Sequence, residues 1–259
     1  MRFTSLGSGS SGNATLVEAS QGITTTLVLI DSGFSLRELT RRMERVGTHP
    51  SQLAAVFVTH EHSDHSTGVL TLARKHGVPI VTSRGTWRAF GDDRFDTPRQ
   101  LRFVSDGQDI EIGDLLLQPF AVPHDAGEPL QLTLTDGLRR FGVLTDIGSI
   151  APRPLAALQA LDALLLECNH DEAMLRSGPY PESLKRRILG THGHLSNATA
   201  AALLAQIQHA GLHTVVAAHL SERNNNPTLA TEALAAVRGC LAAEIGVADP
   251  LEGLGWTDI

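Results

Sequence analysis

The stretch that most limits what this chain can fold into is residues 54–65, Ala-Ala-Val-Phe-Val-Thr-His-Glu-His-Ser-Asp-His. Its first half is a short run of small, aromatic and β-branched residues, the composition of a strand buried in a core. The run ends at Thr59, and four groups able to hold a metal follow within six positions: His60, His62, Asp64 and His65. In an extended turn, His60 and His62 can face one way while Asp64 and His65 reach another. One loop can then serve two metal ions about 3.5–4 Å apart, the separation used in two-metal catalysis. A solvated polar turn is the plain alternative, but three imidazoles and a carboxylate packed this closely are the pattern expected of a metal site. The remaining histidines agree. The chain has 12, and most stand beside Asp, Glu, Gly or Ser rather than on apolar faces.

Periodicity and turn residues predict strands over 2–6, 13–19, 24–30, 54–59 and 78–83, then a strand-rich middle at 101–104, 109–112, 114–122, 130–136 and 140–145. Later strands are expected at 163–167 and 213–219. Helices are predicted from Phe34 to Val46, over 67–76, 86–90, 153–160, 181–189, 196–210 and 227–244. No Pro/Ser-rich linker and no internal repeat divides the chain, so residues 1–259 are expected to form one mixed α/β domain with two sheets. No apolar run is long enough for a membrane span, and the N-terminus lacks the layout of a signal peptide. Two cysteines, Cys168 and Cys240, make no disulfide framework, and a reducing cytoplasm is expected. The net charge of −7 argues weakly against indiscriminate nucleic-acid binding, although local patches can override it.

Near the N-terminus, Gly7-Ser-Gly-Ser-Ser-Gly12 fits the Gly-x-Gly-x-x-Gly pattern of a dinucleotide-binding loop, and Asp31 lies at the distance that pattern asks for. The loop is nevertheless followed by Asn13-Ala-Thr-Leu-Val-Glu18, which has no helical stripe. It therefore joins two strands rather than opening a helix. Its glycines and hydroxyls could cradle a phosphate, with Ser8, Ser10 and Asn13 as candidate contacts, or simply make a tight turn. Farther on, residues 84–102 interleave Arg84, Arg88, Arg94, Arg99 and Arg102 with Trp87, Phe90 and Phe95, against Asp92, Asp93 and Asp96. Arginines beside aromatic residues can hold phosphates and stack on bases, so Arg84 and Arg88 are candidate substrate contacts. A solvated helix with buried aromatics reads equally from the same residues. Lys185-Arg-Arg187 reads as a solvated helix face.

The order His60-x-His62-x-Asp64-His65 resembles the signature of the metallo-β-lactamase fold superfamily. That resemblance implies an α/β fold, the four-layer αββα sandwich, with a binuclear metal site at one edge of its two sheets. It implies that Asp31, at the end of a strand, orients the His loop from behind, as carboxylates behind metal-bound imidazoles do. It further implies that His124 joins His60 and His62, that Asp146 bridges both metals, and that His219 joins Asp64 and His65. All these ligands offer N or O, which suits two divalent ions: Zn²⁺, with Mn²⁺ or Fe as alternatives. Asp146 stands where the best-known β-lactamases carry Cys, so β-lactam hydrolysis is not expected.

Gly193-His-Leu-Ser196 resembles the motif of ribonuclease Z and related phosphodiesterases that opens a helix and supplies a proton to the leaving group. By position that role falls to His194, with Glu167 as its acidic partner. His170 could do the same work as Glu167, and His192 would lie behind the site or at the surface. The whole layout is similar to the bacterial WalJ/YycJ family, through residues 5–13, 31–35, 59–65, Glu167-Cys-Asn-His-Asp171, Thr191-His-Gly-His-Leu-Ser-Asn197 and Ala218-His-Leu-Ser-Glu-Arg-Asn-Asn225. The resemblance implies a 5′-to-3′ exonuclease with DNA as its partner. The protruding arm of ribonuclease Z has no counterpart in the sequence, so tRNA processing is not expected. The implied chemistry is attack by a water activated between two metals, with Asp64 orienting it and His194 protonating the departing oxygen. Alternatives are a small-molecule metallohydrolase, acting on a thioester, lactone or glyoxalase-type substrate, and a metal-binding protein without catalysis.

Overall fold

The computed structural model describes residues 1–92 and 100–259. Its strands, in chain order, are β1 (Arg2–Gly7), β2 (Ala14–Gln21), β3 (Thr24–Ile30), β4 (Leu53–Val58), β5 (Ile80–Thr82), β6 (Leu101–Phe103), β7 (Ile110–Ile112), β8 (Leu115–Ala121), β9 (Leu130–Thr135), β10 (Arg140–Leu144), β11 (Ala163–Glu167), β12 (Thr214–Ala218), β13 (Gly246–Val247) and β14 (Thr257–Asp258). Among the described residues they form two mixed sheets, ordered β14-β1-β2-β3-β4-β5-β6 and β13-β12-β11-β10-β9-β8-β7.

Alternation along the strands explains the layering. In β3, Val28 and Ile30 pack into the core between the sheets, while Leu27 and Leu29 face outward into a second apolar cluster. In β11, Ala163 and Leu165 face the inter-sheet core, and Leu164 and Leu166 face a third cluster. Strands covered on both faces need continuous apolar sequence, which is why 27–30 and 163–166 lack the polar alternation of a solvated sheet. Phe3 and Phe141 join the two sheets through stacked rings 4.2 Å apart.

Helices α1 (Leu36–Arg45) and α3 (Val69–His76) cover the first sheet through Leu39, Met43, Val69 and Leu72. Between them lies the one-turn helix α2 (Ser63–Ser66), and α4 (Arg84–Phe90) follows β5. The second sheet is covered by α5 (Pro152–Ala157), α8 (Asn197–Ile207) and α9 (Pro227–Arg238), with α6 (Glu172–Ser177) and α7 (Glu182–Ile188) between β11 and α8. Three apolar clusters separating helix, sheet, sheet and helix make the αββα sandwich.

The predicted elements differ from the observed ones mainly at helix ends. The helix expected over 67–76 begins at Val69 as α3, and the unexpected one-turn α2 precedes it; a Cβ added at Gly68, between the two, would fall 2.2 Å from the Phe34 carbonyl oxygen. The helix expected over 227–244 stops at Arg238, where Gly239 adopts the left-handed conformation (φ 66°) and ends it. The short α6 was not predicted; Asp171 starts it by accepting the Met174 N–H at 2.8 Å. The Gly7–Gly12 loop joins antiparallel β1 and β2, so it is not the start of a helix.

The parallel pairs β3–β4 and β10–β11–β12 set the site. Their registers place Ile30 beside Phe57, Leu144 beside Leu166, and Glu167 beside Ala218. The chain leaves each of these strands at its carboxyl end into Asp31, Thr59, Thr145 and His219 respectively, with Glu167 closing β11. Candidate groups that lie far apart in sequence therefore meet at one edge of the sandwich.

Candidate active site

At that edge the ligand-bearing atoms converge in sets within 4.8 Å of one another: His60, His62 and His124; Asp64, His65 and His219; and His60, His65 and Asp146. His60 Nε2 lies 3.1 Å from His62 Nδ1, which is 3.3 Å from His124 Nε2. His219 Nε2 lies 3.4 Å from Asp64 Oδ2, and His65 Nε2 is 3.5 Å from the same oxygen. Asp146 stands between the sets, with Oδ2 3.1 Å from His65 Nε2 and Oδ1 3.8 Å from His124 Nε2.

The imidazoles are held from outside the cluster. His65 Nδ1 donates to Asp31 Oδ2 at 2.7 Å, His124 Nδ1 meets the Gly193 carbonyl at 3.1 Å, and His60 Nδ1 meets Thr59 Oγ1 at 3.0 Å. Each of these rings spends one nitrogen on the protein and turns the other inward, the arrangement of metal-binding histidines. Asp31 also accepts the Thr59 N–H at 2.8 Å, so it fixes the start of the His loop as well as His65. Asp31 and His219 are non-glycine residues with φ of 60° and 53°, in the left-handed region, each just past its strand.

The chemistry of this donor set fits a cation. Among the described residues, Asp146 Oδ2 is buried without a hydrogen-bond partner, although a ring nitrogen lies beside it. Burial drives His60 well below the ordinary imidazole range, reinforced by neighbouring His65. Burial would also lower His65, but Asp146, Asp31 and Asp64 outweigh it and the net shift is upward. His219 is likewise pushed up to about 10, because Asp146, Asp64 and Glu167 outweigh its burial. These carboxylates call for positive charge inside the cluster, which a bound cation would supply in place of protons.

The family described as Beta-lactamase superfamily domain matches residues 26–220. The chain belongs to this family. It is 34% identical over 250 residues to "Exodeoxyribonuclease WalJ" of Streptococcus pneumoniae, covering 95% of this chain and 90% of that protein. It is also 34% identical over 231 residues to "Exodeoxyribonuclease YycJ" of Bacillus anthracis, covering 89% and 86%. Among solved structures, the metallo-beta-lactamase fold protein YhfI from Bacillus subtilis aligns with a TM-score of 0.73 at 16% identity, covering 99% of each chain. The sandwich is thus the metallo-β-lactamase fold, and the chain is a metal-dependent hydrolase.

Within this beta-lactamase superfamily fold, the structure places His194 Nδ1 2.6 Å from Glu167 Oε1. Glu167 is fully buried, and its other oxygen accepts the Ile147 and Leu195 N–H groups at 3.0 and 3.1 Å. Burial would lower His194, but the Glu167 carboxylate outweighs it and holds the ring above its ordinary value. A cavity of about 370 Å³ opens over the cluster, with Asp64, Asp146, His194 and His219 in its lining.

The remaining candidate residues are placed as follows. His170 is buried and, among the described residues, neither ring nitrogen finds a partner, whereas Glu167 accepts from His194. The His192 ring is exposed and meets Thr191 Oγ1 at 3.2 Å, while its backbone carbonyl holds the Asp125 N–H. Ser8 is buried with its hydroxyl engaged twice, donating to Asn13 Oδ1 and accepting the His219 N–H at 2.9 Å. Asn13 is buried too, and its amide reaches His65 Nε2 at 3.1 Å and Asp64 Oδ2 at 3.3 Å. Both brace candidate ligands and neither is in the cavity lining; of that loop, Ser10 lines the cavity. Arg84 and Arg88 are exposed but outside the cavity lining, and Arg84 lies 4.4 Å over the Phe103 ring. Trp87 and Phe90 pack against the outer apolar cluster, while Arg94, Arg99, Asp93, Phe95 and Asp96 lie outside the described residues. The run 185–187 is not a uniform solvated face. Lys185 is buried and donates to the Arg176 carbonyl at 2.8 Å, and Arg187 lines the cavity. Its only sequence signal was charge.

Proposed function

We propose that the chain is a binuclear metal-dependent phosphodiesterase that degrades DNA as a 5′-to-3′ exonuclease. The observation that carries this reading is the placement of His194, braced by Glu167, beside the two candidate ligand sets that flank Asp146. The names of the two bacterial relatives favour DNA as the substrate.

In this reading His60, His62 and His124 would hold one divalent ion and Asp64, His65 and His219 the other, with Asp146 a ligand placed to serve either. Bound there, two such ions acidify a water and neutralise charge on the phosphoryl group. Asp64, at the cavity wall and tied to Asn13, orients the attacking water. His194 donates its proton to the departing oxygen. Glu167 keeps His194 protonated and turned toward the cavity. It also meets His219 Nδ1 at 3.3 Å, so it couples the acid to the ligand set.

The test is metal-loaded protein incubated with 5′-labelled single- and double-stranded DNA, supplied with Zn²⁺ or Mn²⁺. Mononucleotides should be released from the 5′ end, and Asp64→Ala should abolish release. Turnover of lactones or thioesters with no phosphodiester cleavage would overturn the proposal.

A further inference from the structure

The cavity has a wall that the proposed chemistry does not use. The turn before α7 and α7 itself contribute Tyr180, Leu184, Arg187 and Ile188. Arg187 is the sole Lys or Arg in the cavity lining among the described residues. Its Nε donates to Asp125 Oδ2 at 2.5 Å. Asp125 directly follows His124, and its other oxygen is 3.6 Å from His124 Nε2 and 3.9 Å from His62 Nε2. One N–H thus anchors the guanidinium at the edge of the cluster. Among the described residues its two terminal nitrogens have no protein partner, and the side chain is 58% exposed.

A guanidinium fixed through Nε with both terminal amino groups open is a fork for two oxygens of one phosphate. Beside it, Tyr180, Leu184 and Ile188 are half-buried and offer an aromatic and aliphatic surface. Such surfaces receive the flat face of a base whatever its identity. Charge adds a reason. The chain carries −7 overall, and Asp64 and Asp146 line the same cavity, so a second phosphate needs a cation of its own near the cluster.

We propose that this wall is the binding site for the nucleotide adjoining the cleaved bond of single-stranded DNA. Arg187 forks onto the neighbouring phosphate, and Tyr180 with Leu184 and Ile188 receives the base. The proposal rests on the reading of the cluster as a DNA phosphodiesterase centre and adds to it where the strand lies.

Binding tests it apart from cleavage. The probe is a fluorescent oligothymidylate, titrated with the full chain, metal-loaded and carrying His194→Gln to slow hydrolysis, over a range of salt concentrations. Arg187→Ala should weaken binding about tenfold and reduce the slope of log K against log salt by about 0.7, the single-strand value for one phosphate contact. Arg187→Lys should restore the slope but not the affinity, since it keeps the charge and loses the fork. Tyr180→Ala should weaken binding about fivefold or more. Arg186→Ala, on the same helix but outside the cavity lining, should leave the slope unchanged. Equal effects of Arg186→Ala and Arg187→Ala would overturn the proposal, as would an unchanged slope in Arg187→Ala or no binding by the parent. A parent that binds through Arg187, while wild-type protein releases no nucleotides, overturns the nuclease reading alone.

Discussion

Replacing Asp31 by Asn removes one charge and exchanges one oxygen for an NH₂ group in almost the same volume. Asn also tolerates the left-handed backbone (φ 60°) that Asp31 adopts, so the change isolates the hydrogen bonding. The wild-type carboxylate faces only donors: the Thr59 N–H at 2.8 Å, the Thr59 hydroxyl at 2.9 Å, and His65 Nδ1 at 2.7 Å. An amide cannot satisfy all of them. If its oxygen stays with the Thr59 N–H, its NH₂ confronts His65 Nδ1. The ring must then carry its proton on Nε2, the nitrogen that faces Asp64 and Asp146. If the amide flips, the NH₂ confronts the buried Thr59 N–H, at a cost of about 1–3 kcal/mol for the unsatisfied donor. The first outcome blocks a ligand nitrogen and the second loosens the His loop. Losing such a partner behind a metal-bound imidazole weakens metal affinity about 10–100-fold, and that range is expected here. Chelator competition with Zn²⁺ measures the affinity, and urea unfolding of the metal-free variant measures the stability. Zn²⁺ affinity within about twofold of wild type, in a protein that still folds, would refute the claim that Asp31 sets the proton position on His65.

Other expectations follow from the same geometry. His194→Gln should lower kcat on DNA by about 10²–10⁴, and lower it much less on a p-nitrophenyl phosphodiester, whose leaving group needs no proton; equal losses on both would remove His194 as the proton donor. In Gly33→Ala the new Cβ would stand 1.8 Å from the Asp64 carbonyl oxygen and 2.8 Å from the Asn13 nitrogen, both backbone atoms. A loss of more than about 3 kcal/mol in urea unfolding is expected, and an unchanged midpoint would contradict that close approach. Glu38 is held down to about 2, first by its hydrogen bond to Arg41 and then by Arg42 against some burial. Its folded pKa lies below its unfolded value near 4.5, so its contribution is complete above that pH and is lost as pH falls toward 2. For a surface pair this amounts to at most about 1 kcal/mol, and Glu38→Gln should flatten that part of the acid limb in a pH series of unfolding midpoints.

The strands were legible because covered strands leave an unmistakable trace: 27–30 and 163–166 are apolar without interruption, and both lie between two apolar clusters. The helices were less so at their ends, where one residue decides. Gly239 ends α9 by its backbone conformation, and the residues beyond it still read as helix formers. The candidate ligands were legible as residue types at strand ends, and the parallel registers explain why strand ends meet. What sequence could not give was direction. Ser8 and Ser10 read identically, yet one is buried under the His219 N–H and the other lines the cavity. Arg84 and Arg187 both read as exposed cations, and only the position of α7 puts Arg187 at the cavity.

The glycine-rich loop illustrates how direction changes a role. A phosphate cradle needs free donors, and Ser8 has none to give. Its proton goes to Asn13 Oδ1, and its oxygen accepts from the His219 backbone. Asn13 in turn is tied to Asp64 and His65 through Nδ2, and its backbone N–H donates to the Asp64 carbonyl at 2.7 Å. The loop therefore clamps two candidate ligands, Asp64 and His219, that are 155 residues apart in the chain. The glycines serve this clamp. At Gly12 a Cβ would fall 2.5 Å from the Phe34 ring, so a larger residue there would force the ring or the loop to shift. His219 sits in the left-handed region, which costs a non-glycine residue on the order of 1–3 kcal/mol, and the Ser8 hydroxyl binds its N–H at that strained point. A sequence pattern that elsewhere brings backbone amides up to a nucleotide here brings a hairpin up to a ligand cluster. The two uses share one physical requirement, close approach of backbone, and differ in what is approached.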